Sequence, residues 1–200
     1  TQNGCEASAS VAVQADFVPP FASAGFDVLL NCYNPTGTLL GTGSSVGPEY
    51  AYEWLLGGVV VGGGLSLPVS DVGDFTLTVT NTQNGCEASD QVSVAEDFQT
   101  PVALAGADLT IDCIQPSVTL NGNGSSSGPE ISYEWSLGGL VVGAGISLNV
   151  DDPGNYTLTV LNTDNGCSAT DEALVGINQN FPQALLSAGG ILTCVETEVT

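Results

Sequence analysis

The sequence repeats itself with a period of 81 residues. Asn-Gly-Cys triplets recur at this interval (86 − 5 = 81 and 167 − 86 = 81), and no gap is needed to align residues 1–81 with residues 82–162. A gapless period of this length is too long for a solenoid unit and suits a small domain that folds by itself. All six cysteines keep the period, in one series of Cys5, Cys86 and Cys167 and another of Cys32, Cys113 and Cys194.

The phase of the repeat predicts the domain boundaries. Two complete domains are expected at 16–97 and 98–178. Residues 1–15 match the end of a repeat and are predicted to be the last strand of a preceding one, and residues 179–200 match the start and are predicted to be the first strand of a following one. We interpret the chain as a window from a longer protein, with any secretion signal and anchor outside it. Its apolar runs are far shorter than the ~20 residues a membrane helix needs, so no membrane insertion is expected in this window.

Each repeat contains about seven short runs of alternating apolar and polar residues, separated by turns rich in glycine, serine and proline. In one such run Phe75, Leu77 and Val79 are predicted to face inward and the intervening threonines outward. No segment has a helical period, so the pattern indicates an all-β protein of antiparallel β-sandwiches. Asn84-Gly85 predicts a two-residue type I′ hairpin turn.

Large aromatic residues recur at the repeat interval within the predicted strands. They are expected to anchor the hydrophobic core of each domain rather than to stack on a ligand, because aromatic side chains bury the most apolar area. The core anchors are Trp54 and Phe75 in the first repeat and Trp135 and Tyr156 in the second.

The chain has no Lys, Arg or His, and its 22 Asp and Glu residues give a formal net charge of −22. Such a surface repels phosphate, which argues against nucleic-acid partners. Without His there is no Ser–His or Cys–His pair, and without Lys no Schiff base. The carboxylates lie in predicted turns with no cleft implied, so we expect no enzymatic activity. Six regularly spaced cysteines without a CxxC pair indicate disulfides formed in an oxidising compartment.

Two kinds of minor site remain. Acidic residues near predicted turns, among them Asp97, Asp151 and Asp152, are weak candidates for calcium, although an ordinary solvated surface is favoured because no EF-hand spacing occurs. No other cofactor is indicated. Asn123 and Asn155 begin N-glycosylation triplets, a pattern that also arises by chance.

The segments GDFTLTVTNTQNGCEASDQVSV, PVALAGADLTIDC and SVTLNGNGSSSGPEISYEW together resemble tandem PKD-like, immunoglobulin-like repeats of giant secreted surface adhesins of Bacteroidota, which are exported by the type IX system and include gliding-type adhesins. The resemblance spans the whole chain and implies sandwich domains stacked end to end. PKD domains carry a W-D-F-G-D-G type motif, and this chain has EWLLGG and EWSLGG instead, so a function tied to that motif is not carried over.

In such sandwiches the first long strand runs parallel to the last. Cys32 ends the first predicted strand and Cys86 begins the last, so they should lie about 25 Å apart, far beyond disulfide reach. When two such domains stack end to end, Cys32 at the far end of the first domain and Cys167 at the near end of the second both lie at the junction. We therefore expect a Cys32–Cys167 disulfide between consecutive domains, with Cys86 and Cys113 pairing to repeats beyond this window. Two alternatives stay open: Cys32–Cys86 with Cys113–Cys167 inside the domains, and Cys86–Cys113 across a linker.

The leading functional hypothesis is a structural stalk or filament-forming repeat region of an extracellular cell-surface adhesin, rigidified by disulfides. Its partners would be neighbouring repeats, like filaments or surface glycans. One alternative is a carbohydrate- or protein-binding module of a secreted protein, using exposed aromatic residues such as Tyr50. A second alternative is self-assembly, in which segment 1–15 of one molecule completes the unit at 180–200 of another by strand addition.

Overall fold

The computed structural model describes residues 4–178. Within this part of the chain the secondary structure consists of β-strands, as the alternating patterns predict. The strands of the first repeat are β1 (Val28–Asn31), β2 (Gly37–Leu40), β3 (Tyr50–Leu56), β4 (Val59–Gly63), β5 (Ser66–Val69), β6 (Gly73–Asn81) and β7 (Glu87–Asp97). Those of the second repeat are β8 (Leu109–Ile111), β9 (Val118–Asn121), β10 (Ile131–Leu137), β11 (Leu140–Ala144), β12 (Ser147–Val150), β13 (Gly154–Asn162) and β14 (Ser168–Ile177).

The first repeat forms two sheets. One has the order β1-β7-β6-β3-β4 and the other pairs β2 with β5. The adjacent strands β7, β6 and β3 correspond to the G, F and C strands of an immunoglobulin-type sandwich, and β2 and β5 to its B and E strands. Strand β1 runs parallel to β7, with Val28 opposite Val94 and Asn31 opposite Asp97. The fold is an immunoglobulin-like β-sandwich.

The second repeat has the same topology. Its larger sheet has the order β11-β10-β13-β14-β8, and β12 pairs with β9. Strand β8 runs parallel to β14, with Ile111 opposite Ile177. Because the two topologies correspond strand by strand, the 81-residue period of the sequence is also the period of the fold.

The core of each sandwich surrounds one tryptophan. Trp54 and Trp135 are fully buried, and Phe75 and Tyr156 are 2% exposed. The indole N–H of Trp54 donates to the carbonyl of Gly64 at 3.0 Å, and that of Trp135 to Gly145 at 3.1 Å. Both indoles therefore bury their apolar area without leaving an unpaired donor. As predicted, alternate residues of β6 (Phe75, Leu77, Val79) are buried.

Peptide N–H groups take the place of cations beside the carboxylates. Asp90 accepts from the N–H of Ala24 at 2.8 Å, and its counterpart Asp171 accepts from Ala105 at 2.7 Å. These bonds fasten the segment before the first strand of each repeat to the last strand. Main-chain donors thus stabilise acidic residues in a chain without Lys or Arg.

The hairpin between β6 and β7 differs from its prediction. A type I′ turn requires positive φ at both central residues, but no non-glycine residue in residues 4–178 has a positive φ. Gly85 alone adopts the left-handed conformation (φ 74°). Its N–H donates to the carbonyl of Asn81 at 2.8 Å, and the Asn81 N–H donates to Cys86 at 2.8 Å, which closes a four-residue loop. The Asn84 side chain stabilises this loop by accepting from the N–H of Cys86 at 2.9 Å.

The first described residues of the chain differ from their prediction. Residues 4–15, predicted as the last strand of a preceding repeat, form no strand here. Their counterpart in β7 is a strand because it pairs with both β6 and β1. The strand predicted within 179–200 lies outside the described residues. The described residues include no apolar helix of membrane-spanning length.

Two compact units emerge from the contacts. Among the described residues, the first comprises residues 4–101, 127–131 and 161–169, and the second comprises residues 102–126, 132–160 and 170–178. The turn between β13 and β14, which belongs to the second repeat by sequence, is therefore part of the first compact unit.

Candidate functional site

A disulfide joins Cys32 to Cys167, and it is the centre of the candidate site. The two Cα atoms are 5.1 Å apart, the sulfur atoms are 2.08 Å apart, and the cysteines are separated by 135 residues in the chain. Cys32 directly follows β1 of the first repeat, whereas Cys167 lies in the turn before β14 of the second. The bond therefore links the two sequence repeats covalently, and it lies within the first compact unit.

The parallel pairing of β1 and β7 explains why Cys32 does not meet Cys86. Asn31 lies opposite Asp97 at the end of β7, while Cys86 precedes the start of that strand. The eleven residue steps from Cys86 to Asp97 (97 − 86 = 11) span roughly 36 Å at about 3.3 Å per residue. A disulfide requires Cα atoms within about 7 Å, so the alternative Cys32–Cys86 pair cannot form.

The same argument applies to the second repeat. Strand β8 is parallel to β14, and Ile111 lies opposite Ile177, ten residues after Cys167. The alternative Cys113–Cys167 pair is therefore also absent. Cys86 and Cys113 form no disulfide with any residue in the described range, which leaves the third alternative, Cys86–Cys113, without support.

Asn165 holds the turn in place beside the disulfide. Its side chain is 1% exposed, and its amide nitrogen donates to the Asp97 carboxylate and to the carbonyl of Gln99, both at 3.0 Å. Its side-chain oxygen accepts from the N–H of Cys167 at 2.9 Å. Its main-chain carbonyl accepts from the N–H of Cys32 at 2.9 Å. One buried residue thus fixes both cysteines and the segment after β7.

The ring of Tyr33 lies against the glycine of this turn. Gly166 has φ 76°, and a Cβ added to it would lie 2.6 Å from carbon atoms of the Tyr33 ring. The ring and the glycine are therefore in direct contact, and only a residue without a side chain fits at this position. Cys167, the next residue, is 1% exposed.

The equivalent turn of the first repeat has the same internal geometry without the cover. The Asn84 amide donates to the carbonyl of Val18 at 3.1 Å, which corresponds to the bond from Asn165 to Gln99 after subtraction of 81. A Cβ on Gly85 would meet no atom within 4 Å, and Cys86 is only partly buried. The conformation of the turn is thus set by its own sequence, and contact with Tyr33 is added only in the second repeat.

The weak calcium candidates take part in other interactions. Asp97 accepts from the Asn165 amide and from the N–H of Gln99. The carbonyl of Asp152 accepts from the hydroxyl of Tyr156 at 2.9 Å. In the described range there is no group of three or more Asp, Glu, Cys or His side chains that could hold a metal ion.

Burial raises the pKa of Tyr156, and the nearby charges of Asp152 and Asp151 raise it further. Both effects penalise the phenolate form, first by removing it from water and then by placing negative charges beside it. Tyr156 is therefore a neutral core residue at physiological pH.

Sequence reasoning missed three residues of the site: Tyr33, Gln99 and Asn165. A signal for Asn165 was present, because the triplet Asn-Gly-Cys is unchanged in three copies while the residue before it changes from Gln83 to Asp164. A role in shaping the turn explains why the Asn recurs, but it does not explain why Asn165 is buried at the other repeat. For Tyr33 and Gln99 no comparable signal exists, since their counterparts 81 residues later differ.

No protein family model matches the chain. Among curated proteins, it is 48% identical over 68 residues to the human Dyslexia-associated protein KIAA0319, which covers 32% of this chain and 6% of that protein. It is 37% identical over 128 residues to the mouse Dyslexia-associated protein KIAA0319-like protein, which covers 55% of this chain and 12% of that protein. The chain thus spans a small fraction of each relative.

The solved structures that the chain matches include multidomain fragments, each with a TM-score below 0.5. The match to an I-band fragment of titin has a TM-score of 0.48 and 15% identity, and it covers 81% of this chain and 66% of the titin fragment. The match to extracellular domains 3–5 of Drosophila OTK has a TM-score of 0.34 and 10% identity, and it covers 83% of this chain and 67% of the OTK chain. The strand topology that both repeats share identifies the chain as a tandem repeat of immunoglobulin-like β-sandwiches.

Proposed function

We propose that the chain is a structural repeat region, a stalk or filament-forming segment, of a large extracellular surface adhesin of the kind it resembles in Bacteroidota. The observation that carries this proposal is the Cys32–Cys167 bond between the two sequence repeats. A bond of this kind limits how far the repeats separate under load. Such a limit benefits a protein whose task is to hold its ends apart.

The composition supports an extracellular setting. Disulfides persist in oxidising compartments and are rare in the cytosol. A surface without Lys or Arg offers no cleavage site to trypsin-like proteases, and its net charge of −22 keeps neighbouring molecules apart at low ionic strength. These properties suit a protein exposed at a crowded surface.

The site geometry supports a mechanical role for the turn. Asn165 is buried and makes hydrogen bonds to Asp97 and Gln99 besides those to the two cysteines. Force that separates Cys167 from Cys32 would be shared between the disulfide and these hydrogen bonds. Hydrogen bonds to a carboxylate are among the stronger ones in proteins.

The competing proposal is a glycan- or protein-binding module, and one observation weakens it. Tyr50, suggested above as an exposed aromatic residue for glycan stacking, is half-buried and packs against the core of the first repeat. The prediction that Tyr50 is exposed is wrong, because its position on β3 directs it toward the sandwich interior. Phe26, at 95% exposure, is a better candidate for such a role.

Single-molecule stretching tests the structural proposal. With the chain held at its two ends, the disulfide excludes from extension the chain between Cys32 and Cys167, a separation of 135 residue steps. Reduction should lengthen the fully unfolded chain by about 450–490 Å, at about 3.3–3.6 Å per residue. The variant Cys32→Ser should show the longer extension without reductant. Equal extension of the oxidised and reduced chain would overturn the proposal. Binding of a glycan array, abolished by Phe26→Ala, would favour the alternative instead.

A further inference from the structure

A groove lies beside Cys113 in the second compact unit. Its volume is about 260 Å³, and its lining includes Ile111, Asp112, Cys113, Asp151, Ile177 and Asn178. Cys113 is exposed, and the adjacent Ile114 is 94% exposed. An apolar side chain beside a thiol at an open groove is a surface that a partner can cover.

The repeat reveals what covers this surface elsewhere in the molecule. Cys113 and Ile114 occupy the positions that Cys32 and Tyr33 occupy 81 residues earlier, in the first repeat. In the first repeat this surface is occupied by the turn that contains Asn165 and Cys167. The occupant that fits the position is therefore known from the same molecule: an Asn-Gly-Cys turn.

The chain presents a second turn of this sequence at 84–86. It already has the bonded conformation, because the N–H of Cys86 donates to the Asn84 side chain at 2.9 Å, the same distance as from Cys167 to Asn165. The position where a covering side chain would lie above Gly85 is open, since nothing is within 4 Å of an added Cβ. A turn with its bound geometry already formed loses little conformational entropy on docking.

We propose that the groove at Cys113 binds the Asn84-Gly85-Cys86 turn of a second copy of this chain, and that a disulfide between Cys113 and the partner's Cys86 seals the contact. The inference rests on the structural role proposed above, and it assigns to a second copy of the chain the pairing of Cys86 and Cys113 that the sequence leads us to expect with neighbouring repeats. Because the two surfaces differ, the contact is heterologous, and each added copy presents a new groove and a new turn.

The contacts at the groove follow those at the occupied site. The N–H of Cys113 takes the place of the Cys32 N–H, which donates to the main-chain carbonyl of Asn165. Ile114 takes the place of Tyr33 and covers the glycine of the turn. The groove contains Ile177 where the first repeat has Glu96, so an apolar side chain replaces a carboxylate beside the docking position, whereas Asp112 and Asp151 replace Asn31 and Ser70. Burying apolar area favours docking in proportion to the area covered.

The covalent step needs an oxidant, and a small disulfide such as glutathione disulfide supplies it. The Cys86 thiolate attacks the small disulfide, which gives a mixed disulfide and releases one glutathione thiolate. The Cys113 thiolate then attacks the Cys86 sulfur and releases the second glutathione. Two protein thiols are oxidised, one small disulfide is reduced to two thiols, and the two protons lost by the cysteines are taken up by the glutathione thiolates.

The test mixes two variants in a background in which Cys5 and Cys194 are replaced by serine. Cys86→Ser keeps the groove, and Cys113→Ser keeps the turn. Each is incubated in a glutathione redox buffer, alone and mixed, at physiological ionic strength to screen the charge of the two chains. We expect disulfide dimers only in the mixture, and a ladder of larger species from the background chain that keeps both cysteines. Dimers formed equally by either variant alone, or no dimers in the mixture, would overturn the proposal.

A second pair of variants separates recognition from random oxidation. Ile114→Asp places a charge beside the groove, and Leu140→Asp places the same charge at another exposed apolar position, on β11 (94% and 75% exposed). Ile114→Asp should slow dimer formation about tenfold, equivalent to about 1.4 kcal/mol, while Leu140→Asp should leave the rate unchanged. Equal effects of the two variants would contradict docking at the groove.

Peptide mapping of the same samples distinguishes the two proposals. An acid-specific protease must be used, because the chain has no Lys or Arg. A Cys32–Cys167 peptide without any Cys86–Cys113 peptide would refute the inference and leave the structural role standing. Loss of the Cys32–Cys167 peptide as well would remove the basis of both.

Discussion

The side-chain amide of Asn165 donates to the carboxylate of Asp97 at 3.0 Å. These residues are 68 positions apart, one in the turn before β14 and the other at the end of β7. The bond brings the turn to the end of the parallel β1–β7 pair, and Cys32 and Cys167 are then in reach of each other. The hydrogen bond and the disulfide are therefore two parts of one connection.

Asn165→Asp should break this connection by placing a second carboxylate beside Asp97. The variant loses a donor to a charged acceptor and buries two like charges together, so the free energy of unfolding should fall by about 3 kcal/mol or more. Denaturant unfolding followed by tryptophan fluorescence measures this loss. The rate of Cys32–Cys167 formation after reduction should fall as well.

Asn84→Asp is the matched control for that substitution. Asn84 donates to the carbonyl of Val18 and, among the described residues, to no carboxylate; Asp16, the counterpart of Asp97, accepts from the N–H of Val18. The same change should therefore cost only about 1 kcal/mol. Equal losses for the two variants would mean that the contact between Asn165 and Asp97 adds nothing beyond the local turn.

Cys32→Ser should destabilise the protein much more than Cys86→Ser. The disulfide closes a loop of 135 residues, and chain-entropy arguments assign about 5 kcal/mol to a loop of this length. Cys86 is only partly buried and forms no disulfide with the described residues, so its replacement should change the free energy of unfolding by less than about 0.5 kcal/mol. Guanidinium unfolding under non-reducing conditions provides the comparison.

Two outcomes would contradict this expectation. If Cys32→Ser and Cys86→Ser were equally stable, the bond would not constrain the unfolded chain. If reductant destabilised Cys32→Ser as strongly as the unmodified protein, a different disulfide would be responsible.

Tyr156 should make the protein less stable in alkali. Its pKa in the folded state is raised from the ordinary value of 10.0, chiefly by burial and then by Asp152 and Asp151. Above pH 10 the unfolded chain therefore releases this proton more readily than the folded one, and stability falls as pH rises. Below pH 10 the tyrosine is neutral in both states and has no effect.

Tyr156→Phe should remove this part of the alkaline loss. The substitution is well tolerated in principle, because Phe75 occupies the equivalent position in the first repeat and is equally buried. It removes the hydrogen bond to Asp152, which should cost about 1 kcal/mol at neutral pH. Unfolding measured across the range from about pH 9 to about pH 11 should show a shallower decline for the variant. Parallel curves for the two proteins would contradict the assignment.

Much of the fold could be predicted, because the 81-residue repeat and the alternation of apolar and polar residues within each strand can both be read directly from the sequence. The buried Trp54 and Phe75 follow from strand periodicity and size. The turn type could not be predicted from Asn84-Gly85 alone. Asn84 uses its side chain to accept from the N–H of Cys86, and this bond together with those of Asn81 favours a longer loop over a type I′ turn.

The site was harder to predict than the fold. The direction of the first and last strands is enough to show that Cys32 and Cys86 lie at opposite ends of one sandwich. The threefold repetition of Asn-Gly-Cys singles out Asn165, but it does not identify the partners of Asn165, which are 66 and 68 residues away in the chain. Tyr33 could not be predicted at all, because its role is defined by what lies against its ring.

Gly166→Ala and Gly85→Ala should separate the local cost of the turn from the cost of the contact with Tyr33. Both glycines have left-handed conformations (φ 76° and 74°), so each substitution should cost about 1–2 kcal/mol through backbone strain. Only at Gly166 would the new Cβ meet a neighbour, the ring of Tyr33 at 2.6 Å. Gly166→Ala should therefore cost about 1–3 kcal/mol more. In a double-mutant cycle, Tyr33→Ala should cancel this excess, because the clash disappears with the ring. Strictly additive losses for Tyr33→Ala and Gly166→Ala would show that the ring and the glycine do not touch in solution.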